Sequence, residues 1–315
     1  MGNRVFMENW IYSQQANIGK QDSVPLLRRD PTTIVGIRIT VNHTNSGLDW
    51  SQIRPFHIAN LMNSVRLVAN GNKEIINLSL VDIIEQELFK GRHIYTSFNI
   101  ADGDYTSSIF VPISFTSPIW AYNQTDLILP ADLYSDLRLE YQFNGSVTKS
   151  TATGTFTINS ATVEIMQVEY KRPLDYSKFG ILKMFKENKG SLTTGVSEVD
   201  LQYDKIYTWL TFRSTDNESA YQDNIKRIRV KRSNIVYKDI DDQLAKIESR
   251  YYIDPDNRAS ISALRFINFI PRGKLSDSFK TFGFIDLKAE LTMAWQSNLE
   301  VIYSELLSIA DELKQ

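Results

Sequence analysis

Histidines and one acidic turn are the features of this sequence that catalysis or metal binding would use. The 315-residue chain has three histidines, His43, His57 and His93, and no cysteine. No two histidines have the helical spacing of metal ligands, and none stands in a nucleophile motif. The lack of cysteine excludes disulfides, thiolate metal sites and a cysteine nucleophile. We therefore expect no enzyme activity and predict no catalytic, cofactor-binding or metal-binding residue.

Asp102 and Asp104 stand on either side of Gly103. Two carboxylates on a tight glycine turn suit a hard cation such as calcium. The rest of the usual ladder of oxygen ligands is missing, so a plain turn is the favoured interpretation and a cation site the alternative.

A dense run of basic residues could point to nucleic acid; it comprises Lys226, Arg227, Arg229, Lys231 and Arg232. On a strand, however, neighbouring side chains point to opposite faces, so this run does not form one basic surface. The whole chain has 35 Lys and Arg against 37 Asp and Glu, a net charge of −2. Nucleic-acid-binding domains usually have a basic excess. We therefore interpret the run as a solvated or intersubunit strand and expect no specific nucleic-acid binding.

Alternation of apolar and polar residues dominates the chain. It is clearest in residues 33–42, 136–143 and 285–295. A period of two is typical of strands with one buried face, so the sequence predicts an all-β fold. In 155–170 the apolar positions change parity near Asn159 and Ser160, which predicts a β-bulge.

Three short helices interrupt this pattern. Ser79 is a predicted N-cap for a helix over 79–90, and Asp239 for a helix over 239–250 whose apolar residues include Leu244 and Ile247. A third helix is predicted at 297–315, because Ser297 and Glu300 have the spacing of a capping box. Its apolar stripe follows helical spacing and comprises Leu299, Ile302, Leu306, Ile309 and Leu313.

The two halves of the chain resemble each other. Residues 65–68, a turn, residues 75–76 and the first helix match residues 228–230, a turn, residues 235–236 and the second helix. Further along, 136–141 matches 286–291. Two matches in the same order suggest a duplicated unit, and therefore two β-sandwiches.

This pattern resembles the double jelly-roll major coat proteins of tailless icosahedral viruses, in particular those of lipid-containing phages. The residues that carry the resemblance are Thr33 to Asn42, Asn63 to Leu88 and their counterparts Asn224 to Tyr251, and the strand-turn-strand-helix run Ser64 to Phe89 is the most suggestive piece. The resemblance implies two antiparallel jelly-roll sandwiches in tandem. Three chains would then form a homotrimer with a pseudo-hexagonal footprint that tiles a closed shell.

The expected domains are an N-terminal arm (1–30), a first jelly roll (31–172), a linker with the second jelly roll (173–296) and a C-terminal helix (297–315). The arm and the helix are not needed to complete an alternating sandwich, so we predict that they bury their apolar groups against a neighbour. The candidate interface residues are Phe6, Trp10, Leu299, Ile302, Leu306, Ile309 and Leu313.

The resemblance implies a major capsid protein, made in the host cytoplasm and resident in the virion, without cofactors. Its expected partners are copies of itself, with minor capsid proteins or an internal membrane beyond them. The alternative is a carbohydrate- or receptor-binding β-sandwich protein such as a viral spike or adhesin. A β-sandwich hydrolase also stays open, since carboxylates are plentiful.

Overall fold

The computed structural model describes most of the chain as β-structure. The described residues are 6–17, 19–47, 57–118, 127–144, 148–150, 153–215, 223–252, 263–271 and 274–309. The first half contains β1 (Phe6–Gln15), β2 (Gln21–Pro25), β3 (Thr32–Ser46), β4 (Met62–Ala69), β5 (Lys73–Leu78), α1 (Leu80–Phe89), β6 (Tyr95–Ser97), β7 (Gly103–Ser114), β8 (Leu137–Phe143), β9 (Thr148–Ser150) and β10 (Thr155–Tyr170). The second half contains β11 (Gly180–Leu192), β12 (Gly195–Asp200), β13 (Ile206–Thr215), β14 (Ile225–Arg232), β15 (Ile235–Asp241), α2 (Asp242–Tyr252), β16 (Leu264–Asn268), β17 (Phe279–Lys280), β18 (Lys288–Met293) and β19 (Ser297–Ser308).

Each half contains an eight-stranded sandwich with the same strand order, to which the short strands β6 and β9 in the first half and β17 in the second are added. In the first half, the sheet β1-β10-β3-β7 faces the strands β2-β8-β4-β5; in the second, β11-β19-β13-β16 faces the four-stranded sheet β12-β18-β14-β15. Two four-stranded antiparallel sheets with these crossovers form a jelly roll. The predicted all-β fold with two tandem jelly rolls is confirmed.

The two sandwiches share one sheet, which the sequence did not predict. A short parallel pairing of β5 with β11 aligns Ile76 with Met184 and Asn77 with Phe185. Through this contact, eight strands from both halves form one continuous path, and β17 pairs beside it with β13. The two jelly rolls therefore lie side by side, joined at the edge of β5.

The predicted alternation positions the core. Val35, Ile37, Ile39 and Val41 are all fully buried on β3. The bulge predicted in β10 is also present, since the register with β3 shifts between Ile158 and Ser160. Burial of these apolar rows on both sandwiches is the main stabilising term.

The first two helices follow the prediction closely. Ser79 caps α1: the Asp82 amide donates to Ser79 Oγ over 3.2 Å, and the Ser79 amide donates to Asp82 Oδ2 over 3.0 Å. The second helix begins later than predicted, because Asp239 lies in β15. Its cap is Asp241, whose carboxylate accepts the Leu244 amide at 2.8 Å.

The predicted C-terminal helix is wrong over its described length, because residues 297–308 form strand β19. This strand lies between β11 and β13 and is buried on both faces. Leu299 points into the core of the second sandwich, whereas Ile302 belongs to the core cluster that includes the first sandwich. Two alternating apolar rows, one on each face, together mimic the spacing of a helical stripe.

The N-terminal arm is also wrong as a separate unit. Residues 1–30 contain β1 and β2, which pair with β10 and β8 and so complete both sheets of the first jelly roll.

Candidate assembly surface

The residues singled out for chemistry serve the fold. His43 is fully buried on β3, with Nδ1 2.9 Å from Asn45 Oδ1 and Nε2 2.7 Å from Ser107 Oγ. Its ring stacks on Phe98 at a centroid distance of 5.3 Å. Burial lowers the pKa of His43, which favours the neutral ring. The side chain of His57 lies outside the described residues.

The acidic turn joins strand ends instead of forming a cation cage. Asp102 Oδ1 accepts the Gly47 amide at 2.8 Å, and Asp104 Oδ1 accepts the Thr44 hydroxyl at 2.5 Å. Across the described ranges, no three His, Asp or Glu side chains are grouped closely enough to hold a metal ion. The same ranges contain no helix with the length and hydropathy to cross a bilayer.

The basic run lies on β14, as predicted, and its Arg227, Arg229 and Lys231 are paired with acidic neighbours. Arg227 Nη2 lies 2.7 Å from Asp239 Oδ2, and Lys231 Nζ lies 2.7 Å from Glu290 Oε2. Arg229 bridges the same two carboxylates. This face is a ladder of ion pairs, which leaves little unpaired positive charge to attract a phosphate backbone.

An open groove of about 600 Å³ lies where the two halves meet. Its lining includes Lys73, Lys183 and Glu305. Lys205 Nζ, also at this groove, is 3.0 Å from Glu305 Oε1, so these two charges neutralise each other. The groove offers no convergent set of groups for catalysis.

Helix α1 fastens the two jelly rolls together. Phe89 stacks on Phe266 with ring centroids 4.2 Å apart, and Trp209 Nε1 donates to Gln86 Oε1 at 2.8 Å. Trp209 is on β13 and Phe266 on β16, so α1 covers the outward face of the second jelly roll. Such aromatic stacking adds to the gain from burial.

A buried ion cluster extends this contact. Arg213 Nη1 on β13 lies 2.5 Å from Asp82 Oδ1 and 3.2 Å from Glu85 Oε2, while Lys186 Nζ lies 2.9 Å from Asp82 Oδ2. Burial by itself would raise the pKa of Asp82, but Arg213 and Lys186 outweigh it and lower the pKa to about 2. Asp82 therefore stays charged, and the two halves are held by opposite charges within the protein.

Of the predicted interface residues, only those of β1 are well exposed. Phe6 is 54% exposed and Trp10 50%, and both lie on an edge strand. Leu299, Ile302 and Ile309 are buried within the chain, and Leu306 is half-buried, so these four form no docking stripe. Leu313 lies outside the described residues.

A second exposed apolar surface was missed by the sequence prediction. On α2, Leu244 is 43% and Ile247 62% exposed, and on the adjoining edge strand β15 Ile235, Val236 and Tyr237 are exposed as well. The signal was present in the sequence, because the apolar residues of α2 were recognised. Helical spacing is the same for a face that packs internally and for one that is exposed, so the pattern alone does not distinguish the two.

Several solved structures have a fold similar to that of this chain. The chain matches the major capsid protein of STIV, Sulfolobus turreted icosahedral virus, with a TM-score of 0.74 and 12% identity over 98% of both chains. It matches VP54 of PBCV-1 with a TM-score of 0.67 and 11% identity over 96% of this chain and 93% of that one. The major capsid protein P2 of bacteriophage PM2 gives a TM-score of 0.63 and 12% identity over 96% and 97%.

The fold is that of the double jelly-roll capsid proteins. The resemblance inferred from sequence is therefore confirmed at the level of the fold. No protein-family model and no curated protein matches the chain by sequence. A double jelly roll extends along nearly the whole length of both chains, so the likeness is not confined to one sandwich.

Proposed function

We propose that this chain is a major capsid protein that assembles as a pseudo-hexagonal homotrimer and tiles the shell of a virion. The observation that carries the proposal is the duplicated jelly roll. Two sandwiches of equal strand order in each of three chains make six similar units around a threefold axis. A hexagonal footprint of this kind packs without gaps over the flat facets of a shell.

The exposed apolar surfaces support the same proposal. A monomeric protein rarely keeps large apolar side chains exposed at several sheet edges, because such edges promote association. Here the edge strands β1 and β15 both carry them. The division between the two jelly rolls falls in the connection from β10 to β11, close to residues 172 and 173.

The test is the association state of the purified full chain. Analytical ultracentrifugation at micromolar concentration should give a trimer, and negative-stain microscopy should show hexagonal particles. A monomer at this concentration would contradict the proposal. Binding to a glycan array by a monomeric chain would instead support a carbohydrate-binding protein.

A further inference from the structure

The two jelly rolls match residue by residue, beyond their strand order. Arg38 Nε on β3 lies 2.5 Å from Glu164 Oε2 on β10, and Arg213 Nε on β13 lies 2.7 Å from Glu300 Oε2 on β19. Both strand pairs also contain a bulged threonine: Thr33 donates to the Val168 carbonyl, and Thr208 to the Ser304 carbonyl. These pairs fix Arg38 as the counterpart of Arg213 and Val168 as that of Ser304.

The helices align equally well. In both halves the N-cap side chain accepts the amide three residues later, Ser79 from Asp82 and Asp241 from Leu244. Leu244 on α2 is therefore the counterpart of Asp82 on α1. By the same spacing Ile247 is the counterpart of Glu85.

Within the chain, α1 and β5 dock on the second jelly roll through Asp82, Glu85 and the parallel pairing with β11. The equivalent elements α2 and β15 have no such neighbour among the described residues, since β15 pairs with β14 alone. The equivalent receiving surface, on β1 and β3 of the first jelly roll, is likewise at an edge, since β1 pairs with β10 alone. Each chain thus has a docking element, formed by α2 and β15, and a receiving surface, formed by β1 and β3, that do not contact each other within the chain.

The side chains at these positions change together in character. Within the chain, carboxylates of α1 meet Arg213 and Lys186. On α2 the carboxylates are replaced by exposed Leu244 and Ile247. On the receiving side Lys186 is replaced by Trp10. Lys186 pairs with Ile302, and Trp10 pairs with Met166. These two partners are equivalent, because each lies two positions before the matched residues Ser304 and Val168. The carboxylates of α1 thus become apolar side chains on α2, and on the receiving side Lys186 becomes an aromatic ring, while Arg38 keeps the charge of Arg213 and lies over that ring.

The strand edges show the same matched exchange. In the parallel pair, Ile76 on β5 aligns with Met184 on β11. Both hairpins β4–β5 and β14–β15 have a bulge at the same place, which makes Lys238 the counterpart of Ile76. Glu8 is the counterpart of Met184, because Glu8 pairs with Val168 and Met184 with Ser304. The apolar pair of the intrachain contact becomes a lysine and a glutamate, which are complementary.

We infer that α2 and β15 of one copy dock on β1 and β3 of a second copy, repeating between chains the contact that α1 and β5 make on β11 and β13 within the chain. The inference rests on the proposed trimer and names its contact. Ile247 and Leu244 cover Trp10, over whose ring Arg38 lies at 4.4 Å. Lys238 lies beside Glu8 of the next chain in a parallel strand pair, and three such contacts close the ring.

A cysteine cross-link tests this contact, because the chain has no cysteine of its own. Aligned residues of neighbouring strands lie close enough for a disulfide. The Glu8→Cys, Lys238→Cys double variant should form covalent dimers and trimers under mild oxidation, which reductant reverses; each single variant should not. If the wild type sediments as a monomer, the proposed function fails. If the double variant sediments as a trimer but forms no covalent oligomer, the proposed contact alone fails.

A substitution on α2 gives an independent readout. Ile247→Asp should weaken trimer association by about tenfold or more, because an isoleucine that leaves water is replaced by a charge. Val196→Asp is the matched control, since Val196 is 66% exposed on β12, at the opposite edge of the same sheet. It should leave association within about twofold of the wild type, a margin of roughly 0.4 kcal/mol. Equal effects of the two variants, with unchanged thermal unfolding, would overturn the contact.

Discussion

Arg66 Nη1 lies 2.9 Å from Glu140 Oε2 between β4 and β8, and the same bond recurs between Arg229 and Glu290, also at 2.9 Å, on β14 and β18. These are the residues that match in the sequence repeat. The recurrence of one ion pair at equivalent positions shows that the repeat reflects a repeated three-dimensional unit. Both pairs lie on solvent-facing sides of their sheets, so each contributes little to stability by itself.

Removal of the buried arginine should destabilise the protein strongly. Arg213→Met leaves Asp82 and Glu85 charged and buried without their main counterion, at a cost of about 3–5 kcal/mol in the free energy of unfolding. The control is Arg227→Met, whose exposed guanidinium pairs with the half-exposed Asp239 and whose loss should destabilise the protein far less. Urea denaturation measures both. Equal losses would show that the buried cluster is not a junction of the two halves.

Stability should fall as the pH drops below about 4. The pKa of Asp82 is about 2 in the folded chain and 3.8 as its reference value. A carboxylate whose pKa is lower in the folded than in the unfolded state stabilises the fold fully at a pH above its unfolded-state pKa. This stabilisation is lost as the pH falls through its folded-state pKa. The loss between pH 4 and 2 should be about 2 kcal/mol from this group. Urea midpoints between pH 5 and 2 should show a shallower pH dependence in Asp82→Asn; an identical slope contradicts this assignment.

Ile302→Ala should destabilise the fold itself. It should not impair assembly while leaving the stability of the fold unchanged. Ile302 is fully buried on the central strand β19, and truncation of such a side chain leaves a cavity that costs about 2–5 kcal/mol. Val196→Ala, at an exposed position, should change stability by at most about 0.5 kcal/mol. Thermal unfolding and sedimentation of both variants are the measurements. If Ile302→Ala abolished assembly but left thermal unfolding unchanged, residues 297–308 would act as a docking segment after all.

Gly36→Ala should strain the outer face of β3. A Cβ at Gly36 would lie 2.6 Å from Phe110 Cζ and 3.2 Å from Met166 Cε, so the Phe110 ring must move. Overpacking of this kind typically costs about 1–3 kcal/mol. Combining it with Phe110→Leu should recover part of that loss, which a double-mutant cycle on unfolding free energy will detect. Strict additivity of the two substitutions would show that the ring yields without cost.

The parts of the fold that sequence predicted are those with one buried face. Strand β3 alternates cleanly because its other face is not core, and α1 carries a complete capping box. The sequence predicts a helix where strand β19 lies, because each face of this strand packs against a different core and is therefore apolar. The alternation of apolar and polar residues that marks a strand is then absent. The adjacent Val301, Ile302 and Tyr303, all favoured in strands, were the local sign of its true state.

The candidate surface was only half predictable for a related reason. Phe6 and Trp10 stood out as apolar residues before the first confident strand, and both are exposed. Leu244 and Ile247 resemble a normal buried helix face in sequence, although both are exposed, and the comparison with Asp82 and Glu85 shows that they occupy the position through which α1 docks. That comparison needs strand registers and cap geometry, which a single sequence does not supply.

The position of β19 also governs the order in which the chain can fold during synthesis. Its register pairs Ser308 with Gly180 and Asn298 with Thr215. Strands β11 and β13 are therefore synthesised well before the strand that pairs with both of them. Contacts so distant in sequence form slowly and late. The first jelly roll is complete by Tyr170, yet the face that α1 covers does not exist until β19 has joined its neighbours. A chain that lacks β19 therefore cannot complete the second jelly roll, nor the face on which α1 packs.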